Sequence, residues 1–244
     1  MAKPNKTKDR RAVLEQMRRE QQRTEKRRTY AIVAACVVVG LVIIGLGAYP
    51  LIKQSQVSGG DLETIGVPAD QAGCQDVVTR PARGNNDHKQ VGTEIDYQNS
   101  PPAFGPHYPV TAPMSRKFYS AGDRPELEYL VHNLEHGYNI LWYDETVADD
   151  SDQLAQVKAI ADKFPGTDDL HHKFIAAPWT SEDGDPFPGG AHIALTHWSV
   201  SREGNGNAGA QKGIWLYCGK PSGAVVSQFV EDHPYTDSPE PLAM

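Results

Sequence analysis

Two kinds of apolar patterning divide the chain. The first is an unbroken apolar run from Ala31 to Tyr49, AIVAACVVVGLVIIGLGAY. A helix rises about 1.5 Å per residue and needs roughly 20 apolar residues to cross the hydrocarbon core, so this run predicts one transmembrane helix over 30–52. The second kind is short and mixed. Residues 137–143 (GYNILWY) leave a glycine for aromatic and β-branched positions, which predicts a strand; 173–177, 192–200 and 214–218 are further strand candidates. Over 151–164, Leu154, Val157, Ile160, Ala161 and Phe164 recur at helical spacing, with Asp150 or Ser151 as N-cap and Pro165-Gly166 as the stop. Residues 224–232 predict a closing helix. The expected fold is therefore α+β (or α/β), with strand order open: one compact mixed domain over 64–244, reached through a polar linker at 53–63.

Charge orients the apolar run. Residues 1–30 carry 11 Lys or Arg and 4 Asp or Glu, a net +7; the whole-chain total of −7 leaves −14 on 31–244. The Lys/Arg excess marks the cytoplasmic side, so 1–29 is expected inside as a basic tail and everything after the span is expected to be extracytoplasmic. A basic segment beside a bilayer is drawn to anionic lipid headgroups. It lacks the interleaved aromatics expected of a nucleic-acid contact, and no nucleic acid is expected as a partner. The charged and apolar stretches are both too long for a cleaved signal peptide. Val33-Ala34-Ala35-Cys36 resembles a lipidation box, but almost no apolar core precedes it.

Of the three cysteines, Cys36 falls in the apolar run, leaving Cys74 and Cys218 on the oxidising side for one disulfide, with a thiol metal site or redox centre as the rival that the lack of a C-x-x-C spacing disfavours. Closing that loop of about 144 residues is worth roughly 5 kcal/mol by chain entropy.

All nine histidines lie after the apolar run. The most specific element is Val131-His132-Asn133-Leu134-Glu135-His136-Gly137. A spacing of four puts His132 and His136 on one face in a helix or in a strand. The order differs from the zinc-protease H-E-x-x-H, because Glu135 precedes the second histidine instead of following the first. In a helix, Glu135 is placed to orient a ligand or to act as one. The second element is Ser100-Pro101-Pro102-Ala103-Phe104-Gly105-Pro106-His107-Tyr108-Pro109, a stiff loop that presents His107 or merely packs on its own prolines. His171-His172, beside Asp168 and Asp169, reads as an exposed loop.

Taken together, Cys74, His88, the Pro-Pro-x-x-Gly-x-His loop and the His-Asn-Leu-Glu-His-Gly segment resemble an actinobacterial family of membrane-anchored proteins, known only as a domain of unknown function, over roughly 74–241. Family loops usually carry Ser or Thr where this chain has Phe104, and Ala-Trp-Gly where it has His197-Trp198-Ser199. The resemblance implies no activity. It ranks His88, His107, His132 and His136 above His171, His172, His197 and His233.

Three or four neutral imidazoles with a carboxylate such as Glu135 suit copper or zinc. The favoured reading is a single-pass membrane protein whose outer domain holds such a metal without turnover. Its rivals are a metal-free structural or partner-binding subunit of an envelope complex, and a metal-dependent envelope hydrolase with Glu135 as base. With no nucleophile elbow, phosphate loop or zinc-protease signature, the sequence argues against an enzyme.

Overall fold

Strands this apolar need cover on both faces, and they have it. The computed structural model describes residues 60–82, 87–201 and 210–244, plus scattered helical positions between 17 and 43. Five strands form one sheet: β1 Val78–Pro81, β2 Asn139–Tyr143, β3 Phe174–Pro178, β4 Ile193–Ser199 and β5 Lys212–Cys218, in the order β1-β5-β4-β2-β3. All neighbours are antiparallel except β2 and β3, which are parallel. A parallel pair needs a crossover, and α2 (Glu145–Asp149) and α3 (Ser151–Ala161) supply it. Asp150 is the cap of α3, its carboxylate accepting from the Asp152 and Gln153 amides. Two further α-helices of the domain, among the described residues, are α1 (Leu127–Glu135) and α4 (Gly223–Asp232).

Period-two alternation sorts the strand residues between two cores. Leu141, Tyr143, Phe174, Ala176, Ile193, Leu195 and Ile214 pack with Val157 and Ile160 of α3 and Val226 and Phe229 of α4. Ile140, Trp142, Ile175, Ala177, Ala194, Trp198 and Trp215 face the other way, against Leu130, Val131 and Leu134 of α1. Trp142 donates its indole N–H to Thr196 Oγ1 at 2.9 Å, which pairs the polar side chain of β4 in that layer.

The mixed α+β class and the Cys74–Cys218 disulfide are present as expected. Three elements were not foreseen. β1 is an exposed edge strand of Val, Thr, Arg and Pro with no apolar signature. α2 is a single turn capped by Asp144. α1 is the helix that the His132 to His136 spacing left undecided. The long helix ends at Ala161, three residues short of Phe164, yet Phe164 still stacks on Phe174 with ring centroids 4.3 Å apart. Most of the expected span at 30–52, the tail at 1–29 and the linker at 53–63 lie outside the described residues; among the described ones, no helix is long and apolar enough to cross a membrane.

Candidate metal centre

Helix α1 brings two functional groups to one spot. Its apolar positions, Leu127, Leu130, Val131 and Leu134, turn toward the sheet, and His132 and Glu135, three apart, fall together on an adjoining face. The helix ends at His136, and Gly137 follows with φ of 90°. A Cβ there would also lie 2.4 Å from Tyr235 O, so this turn requires glycine.

The proline loop is fixed to the same helix by Asn133. Its side-chain amide donates to Ala112 O and its carbonyl accepts from Ala112 N, both at 2.9 Å and both buried. Phe104 anchors the loop to the sheet, set edge-on against Trp198 and Trp215 above Gly213, where any side chain would collide with it. Trp215 Nε1 donates to Pro101 O. His88 then joins by backbone pairing: Lys89 N donates to His107 O and His107 N to Asp87 O, so the two rings lie side by side.

Four groups from three separate stretches thus converge. His88, His107, His132 and Glu135 each place a donor atom within 4.8 Å of the others. Glu135 Oε2 is 2.9 Å from His107 Nε2 and 3.9 Å from the Nε2 atoms of both His88 and His132. Zinc bonds of roughly 2.0–2.2 Å set neighbouring donors about 3.3–3.5 Å apart, so adjustments of about an ångström would seat an ion. His107 and Glu135 are fully buried and His132 nearly so, whereas the His88 side chain is 45% exposed and forms the way in.

The hydrogen-bond pattern around His107 is that of a ligand. Its Nδ1 lies 2.8 Å from Gly105 O, which can only accept, so Nδ1 is the donor there. Nε2 lies 2.9 Å from the carboxylate oxygen Glu135 Oε2, with both side chains fully buried. With Nδ1 committed, that contact in a dry site needs either a proton or a metal ion between the nitrogen and the carboxylate. A backbone carbonyl that fixes the tautomer from behind is the usual support of a metal-bound imidazole.

Electrostatics agrees. Burial pushes His132 down to about 4, helped by the neighbouring His136 and His107 rings, so it is neutral at physiological pH. Burial alone would raise the Glu135 carboxyl, but a hydrogen bond from His107 and positive charge on the surrounding rings lower it, so the pocket favours a carboxylate with a cation beside it. Neutral imidazole and carboxylate are the forms a metal takes.

His136 stands apart from these four. Its ring lies 4.4 Å from that of His132, but its Nε2 faces Glu240 Oε2 at 3.5 Å, and the donor group it joins is Glu135, His136 and Glu240. Sequence reasoning missed Glu240, Asn133 and Gly105: the first lies in a featureless acidic tail, and the other two act through backbone contacts. His197 is buried with Nε2 donating to Asp237 O, and His171 is an exposed partner of Asp169.

Residues 88–243 match a family described as "Protein of unknown function (DUF3105)". The chain belongs to the DUF3105 family. The matched segment starts at His88, so it takes in all five residues singled out as ligands and also Glu240, while Cys74 and β1 precede it. No curated protein and no solved structure matches this DUF3105 chain.

Proposed function

We propose that the chain is a single-pass membrane protein whose outer domain holds one copper or zinc ion on His88, His107, His132 and Glu135. The observation that carries this reading is the buried His107 Nε2 facing Glu135 Oε2 at 2.9 Å, with Nδ1 committed to Gly105 O and the His88 and His132 Nε2 atoms 3.9 Å from the same oxygen. Four protein donors fill a tetrahedral shell, which favours holding or handing on the ion over hydrolysis. As a donor itself, Glu135 is not placed to serve as a general base as well.

The anchor rests on the apolar run and its basic flank. Val37, Val38, Val39, Leu41, Val42 and Ile43 are each more than half exposed, a burden in water that lipid would relieve. The basic tail would face the cytoplasm and anionic headgroups, and the Cys74–Cys218 bridge suits an oxidising exterior.

Metal analysis of the full-length protein, purified in mild detergent without a histidine tag, tests the metal. Copper or zinc is expected at one equivalent or more, with a thermal shift on adding either ion to stripped protein. Protein that carries neither ion and does not shift leaves only the metal-free envelope subunit.

A further inference from the structure

Glu135 belongs to two donor groups at once. One is the three-histidine site; the other is Glu135, His136 and Glu240, whose donor atoms also lie within 4.8 Å of one another. His136 repeats the arrangement of His107. Its Nδ1 lies 3.1 Å from Met244 O and donates to that oxygen. Its Nε2 lone pair then faces a carboxylate oxygen, Glu240 Oε2, at 3.5 Å. The second carboxylate is also held in place, since Glu240 N donates to Glu135 O at 3.0 Å.

Lys173 sets the tail that carries these groups. Its ammonium, nearly buried, donates to His136 O at 2.7 Å, Pro241 O at 2.8 Å and Ala243 O at 2.7 Å. The end of α1 and the tail are thereby tied through one cation. The rings of His132 and His136 are neighbours, with centroids 4.4 Å apart.

We propose that the DUF3105 site is binuclear: a second divalent transition-metal ion sits on His136 and Glu240, and Glu135 bridges it to the ion held by His88, His107 and His132. The inference rests on the single-ion reading above and extends it. A carboxylate bridge suits two ions about 3.5–4 Å apart. The inner ion has three nearly buried donors and half-exposed His88; the outer one lies beside Glu240, whose side chain is 50% exposed, and keeps room for water or an exogenous ligand.

Copper(II) titration of the stripped full-length protein, followed by metal content and electron paramagnetic resonance, decides the matter. Two ions should bind per chain, and the spin signal of the doubly loaded form should fall well below its copper content through coupling across the bridge. Glu240→Gln should bind one ion at full spin intensity, with affinity at the second position lowered about 10-fold or more. Since Glu240 is half exposed, this variant keeps its fold. One ion in the parent, or two uncoupled ions unaffected by Glu240→Gln, overturns the binuclear centre and leaves the single-ion site standing. Failure to bind copper, with no zinc bound when zinc is titrated in its place, overturns both.

Discussion

Glu135→Gln separates a metal site from a buried ion pair, because the two assign opposite signs to the same substitution. In the metal-free protein, the Glu135 carboxylate and the His107 lone pair meet at 2.9 Å with both side chains fully buried. A glutamine can turn its NH2 toward Nε2 and replace the acceptor–acceptor contact with a hydrogen bond worth about 1 kcal/mol net. For a domain of this size, about 1 kcal/mol raises Tm by roughly 2–4 °C. The metal-bound form should suffer instead. At an ion concentration of about 100 times the parent Kd, binding adds about 2.7 kcal/mol; a 100-fold weaker variant would retain about 0.4 kcal/mol. Thermal melts of parent and variant, with and without zinc, therefore should cross: the variant higher when stripped, lower when loaded. If a proton fills the gap, His107 is an imidazolium paired with Glu135, and the substitution breaks a buried salt bridge at a cost of about 3–5 kcal/mol. A stripped variant that melts about 10 °C lower, or one whose zinc shift is unchanged, would refute the reasoning.

Two further outcomes follow from the same structure. Asn133→Ala should cost about 2–4 kcal/mol in denaturant unfolding, because it leaves both the buried Ala112 N–H and C=O without partners, and zinc affinity should fall with it as the proline loop loses its tie to α1. Acid should destabilise the domain through His197, whose imidazole burial pushes down from 6.5 to about 4. Above pH 6.5 both folded and unfolded states are neutral and full stability is present; between about 6.5 and 4 the unfolded chain takes up a proton the folded one refuses, a loss of about 3 kcal/mol that His197→Gln should remove from a plot of Tm against pH.

The sheet was legible because its strands are apolar on both faces. GYNILWY, and the stretches that become β3, β4 and β5, admit few other structures, and the capped amphipathic α3 is equally plain. β1 was not legible, since Val78-Thr79-Arg80-Pro81 earns its place by pairing with β5 and not by burial. The site was half legible. Spacing singled out His132 and His136 as a pair, but the closer partnership is His132 with Glu135, three residues apart, and only a helix makes that so. No local pattern announces that Asn133 binds a loop twenty-one residues earlier, or that Glu240 reaches back beside His136. Those placements arise from tertiary packing: the loop over Gly213, and the tail gathered around Lys173.

That lysine makes the final residues costly to lose. Trimming the chain before Pro241 would take away two of the three carbonyls around an ammonium that is 2% exposed. The charge would be left at the entrance to β3, the outermost strand of the sheet on that side. Digestion by a carboxypeptidase should therefore register as loosening of a strand more than sixty positions away, before any change at the point of cleavage is noticed.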